Sequence, residues 1–135
     1  MSGTILAFSE DITNAPPPVP LPVGPYPAEI IGAQKRMSST GNEYVQVLMR
    51  INPESYPADF TDGDPDGTTL SYNRLQVDDT GVNRHRWRVF MEKCGGPLGR
   101  NIDLGALLGL VCTVEITHQE YEGEQRAQIA RVLAP

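Results

Sequence analysis

Glu43-Tyr44-Val45-Gln46-Val47-Leu48-Met49-Arg50-Ile51 alternates apolar and mixed positions through nine residues without a break. Successive side chains of a β-strand point to opposite faces, so Val45, Val47, Met49 and Ile51 share one face, and Tyr44, Gln46, Leu48 and Arg50 the other. This pattern predicts a half-buried strand. Upstream, Tyr26, Ala28 and Ile30 alternate with Pro27, Glu29 and Ile31 in a segment from Gly24 to Lys35 and Arg36. Between them lies Ser38-Ser39-Thr40-Gly41-Asn42, where Gly and Asn tolerate positive φ. The two strands therefore read as a hairpin.

Downstream, residues 52–67 are rich in Pro, Asp and Gly and read as a long loop, and Thr68 to Val77 as a third strand whose faces are less sharply marked. A helix follows. Asp79 or Thr80 suits its N-cap, Trp87, Phe90, Met91 and Cys94 form an i, i+3, i+4, i+7 stripe, and Gly95-Gly96-Pro97 stops it. Ile102 to Leu108 reads as a short helical turn. Leu110 to His118 is a fourth strand with Leu110, Cys112, Val114 and Ile116 inward and Thr113, Glu115 and Thr117 outward; Tyr121 to Glu124 turns the chain into a fifth, Arg126 to Leu133. The predicted order is β-β-β-α-β-β, a mainly β chain. A five-stranded OB-like barrel with one helix between strands three and four has this order, and a small sandwich is the alternative.

Residues 24–135 read as one domain and residues 1–23 as an extended arm. The arm holds an apolar patch (Ile5, Leu6, Phe8), an acidic pair (Glu10, Asp11) and the run Pro16-Pro17-Pro18-Val19-Pro20-Leu21-Pro22, which disfavours a β-ladder and favours a stiff polyproline conformation. Phe8, Pro17, Pro18 and Pro20 are the candidate partner-binding residues of this arm. Its PxxP spacings also fit an SH3-type ligand, although a tether lying along a surface suits them better. Such a tether can anchor on a neighbouring subunit through the patch around Phe8, so a homo-oligomer is expected.

At 135 residues the chain is one domain long, with 39% hydrophobic and 21% charged residues and a net charge of −6. That acidity argues against a surface that coats nucleic acid all round, and leaves room for a basic stripe. The start, MSGTILAFSED, lacks a basic n-region, and the longest apolar run, Leu107 to Cys112, is too short to span a membrane. A soluble intracellular protein with no membrane partner is expected, with Cys94 and Cys112 as buried thiols.

The sequence nominates no catalytic group, metal or cofactor. His85 and His118 lack partners at ligand spacing, and no phosphate-cradling or nucleophile-elbow motif occurs. Asp62-Gly63-Asp64-Pro65-Asp66-Gly67 opens like a calcium loop, but the twelfth position is Asn73 where a bidentate Glu is needed. It reads as an acidic solvated loop. Binding residues are easier to find. Arg84-His85-Arg86-Trp87-Arg88 places three of eleven basic residues in five positions on the helix, with Arg84 and Arg88 as i, i+4 neighbours. These arginines suit phosphates, or pairing with the acidic loop or Glu92. Tyr44 with Arg50, joined by Lys35 and Arg36 from strand one, makes an aromatic and cationic set of the kind that single-strand binders use, and Tyr72 with Arg74 repeats it on strand three. For Tyr44, cross-strand packing is the alternative use.

Leu21-Pro22-Val23-Gly24-Pro25-Tyr26-Pro27-Ala28-Glu29-Ile30, the Ser/Thr-Gly-Asn turn and Tyr-Val-Gln-Val-Leu-Met-Arg-Ile after it resemble the N-terminal hairpin of small bacteriophage proteins. Residues Leu108 to Ile116 leading to Glu120-Tyr121-Glu122-Gly123 resemble their closing hairpin. Some of these proteins are regarded as OB-fold single-stranded-DNA-binding proteins. The resemblance spans residues 20–133. It implies a phage protein of the host cytoplasm that binds single-stranded DNA in replication or recombination without catalysis. The alternative is a virion protein, a capsid decoration or cement subunit docking on a phage shell protein through its arm. This chain differs from the pattern in ending Arg131-Val132-Leu133-Ala134-Pro135 where many such proteins carry an acidic tail; its acid lies at 54–66.

Overall fold

The computed structural model describes residues 3–134; residues 1, 2 and 135, the outermost positions of the arm and of the domain, lie outside it. Five antiparallel strands form one sheet: β1 (Gly24–Met37), β2 (Glu43–Ile51), β3 (Thr68–Gln76), β4 (Val111–Tyr121) and β5 (Glu124–Leu133). The helix α1 (Gly81–Cys94) lies between β3 and β4, and the sheet order is β3-β2-β1-β4-β5.

β1 is the shared strand. Its first half, Gly24 to Glu29, pairs with β4, and its second half, Glu29 to Met37, pairs with β2. The change of partner coincides with a bulge at Ile31, where the register with β2 shifts between Ile30 and Gly32. A bulge adds one residue to one strand, bends it and raises its twist. Pro25 and Pro27, which have no N–H to give, fall in the half that has a ladder partner on one side only. As the sheet coils, β3 and β5 come within 8 Å of one another by Cα, yet no ladder joins them among the described residues.

The alternation of β2 is as predicted: Val45, Val47, Met49 and Ile51 are buried, while Tyr44, Gln46, Leu48 and Arg50 are half-buried. These join Tyr26, Ala28, Ile30, Leu75, Leu107, Val114 and Ile116 in one core. Burying each large aliphatic contributes about 1.5–3 kcal/mol. Thr80, not Asp79, caps α1, accepting from the Asn83 amide at 3.1 Å, and Gly95 closes the helix in the left-handed region at φ 72°. The predicted stripe of Trp87, Phe90, Met91 and Cys94 is buried. Cys94 and Cys112 are free buried thiols in contact. Interaction with the neighbouring Cys112 thiol, and then burial, hold the Cys94 thiol protonated far above the usual thiol range.

Core membership starts before β1. Leu21 is 3% exposed, its carbonyl accepts from His118 Nε2 at 2.8 Å, and the Tyr26 hydroxyl donates to the Pro22 carbonyl at 2.8 Å. Residues 3–19 are exposed throughout, Phe8, Pro17 and Pro18 included, and Pro20 is half-buried. The Val19 amide donates to Asp62 of the β2–β3 loop at 2.8 Å.

That loop is built, not slack. Tyr56 and Phe60 meet edge-to-face at 5.3 Å, and the Tyr56 hydroxyl bridges the Asp64 carbonyl and Thr68. Asp64 caps the Asp66 amide, and among the described residues no three carboxylate, His or Cys groups converge as a metal site would require. Arg50 Nε donates to the Asp66 carbonyl at 2.7 Å, clamping the loop to β2. Gly67 beside it has φ 103°, and a Cβ there would lie 2.7 Å from Arg50 Nε and 2.8 Å from the Ile51 carbonyl. Gly67→Ala is therefore expected to destabilise the fold by about 1–3 kcal/mol. Urea unfolding checks this; an unchanged midpoint would refute the role given to the clamp.

A cationic groove at the open side of the sheet

The helix spans the gap between β3 and β5 and is fastened to both edges. Trp87 Nε1 donates to the Gln76 carbonyl at the end of β3 at 2.9 Å, and Lys93 Nζ donates to the Val132 carbonyl of β5 at 3.0 Å. Between these two attachments lies a groove of about 510 Å³, with Tyr72, Arg74 and Leu75 on one wall and Arg131 and Val132 on the other. Its base is the α1 flank of His85, Arg86, Val89, Phe90 and Lys93.

The groove has four cations and a histidine, and no carboxylate among its lining residues. Arg131 pairs with Glu115 on β4. Arg74, Arg86 and Lys93 have no carboxylate within 4.0 Å among the described residues. Like charges gathered without counter-charge repel, so the groove is a place where an anion lowers the electrostatic free energy of the fold. Its aromatic wall is ordered. Tyr72 stacks on Phe90 at 5.7 Å between centroids and 8° between planes, and Trp87 meets Phe90 edge-on at 6.1 Å. Burial raises the Tyr72 phenol above its ordinary value of 10.0, and the nearby guanidinium groups of Arg74 and Arg86 pull the other way.

The residues expected to form one nucleic-acid surface divide into separate places. Lys35 and Arg36 do not share a face. Lys35 stands opposite Val45 on the core side and pairs with Glu43 at 3.4 Å; Arg36 stands opposite Tyr44 on the outer side, where its Nε donates to Gln46 at 3.3 Å. Arg50 faces outward with Tyr44 but holds the loop. Tyr72 does not repeat Tyr44. A bulge sets Asn73 and Arg74 opposite Gln46 alone and leaves Tyr72 opposite Val47, on the inner side against α1. The helix cluster splits as well. Arg84 pairs with Asp79 and Arg88 with Glu92 at 2.8 Å, both away from the groove, and Arg86 turns into it.

Three groove residues escape a reading of the sequence as a binding set: His85, Lys93 and Arg131. A signal exists for Lys93, since Arg86 and Lys93 are seven apart and stack two turns along one helix flank. None exists for Arg131, which joins the groove only because the sheet coils. The β4–β5 hairpin adds another pair, with the Arg126 guanidinium 4.6 Å above the Tyr121 ring, and Tyr121 is 54% exposed.

A phenol whose pKa is raised by folding holds its proton more tightly in the folded than in the unfolded chain. Its contribution to stability is present below the unfolded value of 10.0 and is lost as the pH climbs through the folded one. Tyr72→Phe is expected to make the alkaline loss of unfolding free energy shallower, while Tyr26 and the Cys94 thiol, both also raised, keep their share of it. Denaturation curves on either side of pH 10 test this, and parallel behaviour of the variant and the parent would contradict the half-buried placement of Tyr72 against Phe90.

With the groove and its charges in place, the chain matches no protein-family model and no curated protein.

Proposed function

We propose that this protein binds single-stranded DNA without catalysing a reaction, on a five-stranded OB-like barrel whose open β3–β5 side is the cationic groove. The observation that carries the reading is that groove. In a chain of net charge −6, Arg74, Arg86, Lys93 and Arg131 stand together with His85 around a stacked aromatic wall, with no lining carboxylate. A single strand offers phosphates to such cations and base faces to such rings. The strand order and the near approach of β3 to β5 fit a barrel that is closed by packing and by α1. Tyr44 with Arg36, and Tyr121 with Arg126, lie on exposed or half-buried strand and hairpin surfaces that suit additional base contacts. The resemblance to phage proteins supplies the setting, replication or recombination in the host cytoplasm.

Fluorescence anisotropy with labelled oligo-dT at low and moderate salt tests this. Binding is expected to weaken as salt rises, and Arg74→Glu with Arg86→Glu to weaken it at least about tenfold. The salt slope should also become shallower by about 0.7 for each phosphate that the variant no longer neutralises. Absence of binding at micromolar protein, or affinity indifferent to salt, sinks the proposal.

A second reading rests on the arm. Ile5, Leu6, Phe8 and Ile12 are 69–90% exposed, an apolar series that suits a protein partner such as a phage shell subunit. Under that reading the protein copurifies with virions, and its absence from them rejects it.

A further inference from the structure

On the other flank of α1 is a second and larger cavity, of about 790 Å³, between the helix, the Val45 and Gln76 end of the sheet and the 97–104 segment. Its apolar lining includes Trp87, Met91, Leu98, Ile102 and Leu104, and Leu98 is 60% exposed. Of the four basic side chains around it, Lys35, Arg84 and Arg88 pair with Glu43, Asp79 and Glu92, which leaves Arg100 as the cation open to a further carboxylate. Arg100 has no carboxylate within 4.0 Å among the described residues.

The arm has the complementary pattern. Ile5, Leu6 and Phe8 are followed at once by Glu10 and Asp11, and no lysine or arginine precedes Lys35. We infer that residues 5–11 of one copy dock in this cavity of a second copy, with Phe8 and its neighbours in the apolar floor and Glu10 and Asp11 toward Arg100. The arm is rooted at the far end of the molecule from the cavity. Val19 is tied to Asp62 and Leu21 to His118, at the Ile51 and Thr68 end of the sheet, whereas the cavity is at the opposite end of β2. From Leu21 outward, residues 5–20, extended apart from the 3-10 turn Ile12–Asn14 that Asp11 caps, reach about 45 Å, enough for a neighbouring molecule. In its own molecule the arm from Gly3 to Val19 leaves every one of its apolar side chains in solvent.

The full chain, studied by sedimentation equilibrium, is expected to self-associate. Phe8→Asp removes the arm's anchor and Leu98→Asp the receiving floor. Each is expected to weaken self-association at least about tenfold. Both positions are exposed, so circular dichroism and the unfolding midpoint should match the parent. Mixing the two variants pairs an intact cavity with an intact arm and should restore a heterodimer. Arg100→Glu should be rescued by Glu10→Arg. A photo-crosslinker at position 8, in a mixture of isotopically light and heavy protein, should join light to heavy chains at residues 97–104. A parent that stays monomeric at every concentration, a Phe8→Asp variant that associates like the parent, or crosslinks confined to one chain or reaching a different surface each overturn the inference.

Discussion

The sheet depends on β1 serving two neighbours with different halves of its length. Gly24 to Glu29 belongs to β4 and Glu29 to Met37 to β2, and the bulge at Ile31 supplies the bend between them. A straight strand paired along its whole length to both neighbours gives a flatter sheet, with β3 and β5 far apart. Because β1 bends, the two outer strands turn toward each other and α1 can span them. Both cavities follow from that geometry. They are the two flanks of a helix laid across a sheet that coils without closing its ladder among the described residues.

The two flanks are chemically distinct because the helix sorts its charges. Arg84 and Arg88 are on one side and are offset by Asp79 and Glu92; exposed pairs of this kind contribute little to stability, typically below about 1 kcal/mol. Arg86 and Lys93 are on the other, among further cations and beside the stacked Tyr72 and Phe90. One short basic run thus yields one neutralised flank and one unneutralised flank. The aromatic residues that keep α1 in place, Trp87 through the Gln76 carbonyl and Phe90 through its two ring contacts, also fix where those charges stand.

Much of the fold is legible in the sequence where periodicity is unbroken. The alternation of β2 and the i, i+3, i+4, i+7 stripe of α1 both identify their buried faces correctly, since each element keeps its period from end to end. Legibility fails at the bulges. At Ile31 and at Asn73–Arg74 one extra residue reverses the phase, and Tyr72 consequently packs inward although Tyr44 faces out. The opposite placement of Lys35 and Arg36 is readable, because adjacent strand residues always face opposite ways. The candidate groove is legible only in part. Arg74 and Arg86 stand out by composition, but Arg131 reaches them through the coil of a whole sheet, a long-range effect that no local spacing encodes. The burial of Leu21 is hidden for a different reason, since a proline-rich context reads as linker while a single carbonyl bond to His118 draws the residue into the core.

Pro25 and Pro27, tolerated because their half of β1 is paired on one side only, also act as a guard. An unpaired strand edge is a template on which another chain can add itself, and such addition leads toward aggregates. With two of five consecutive nitrogens unable to donate, the open side of Gly24 to Ala28 is a poor template. The other two edges, β3 and β5, face each other across the groove under α1. Growth of the sheet from that stretch of β1 is thereby discouraged, and the two outer strands are screened by the helix.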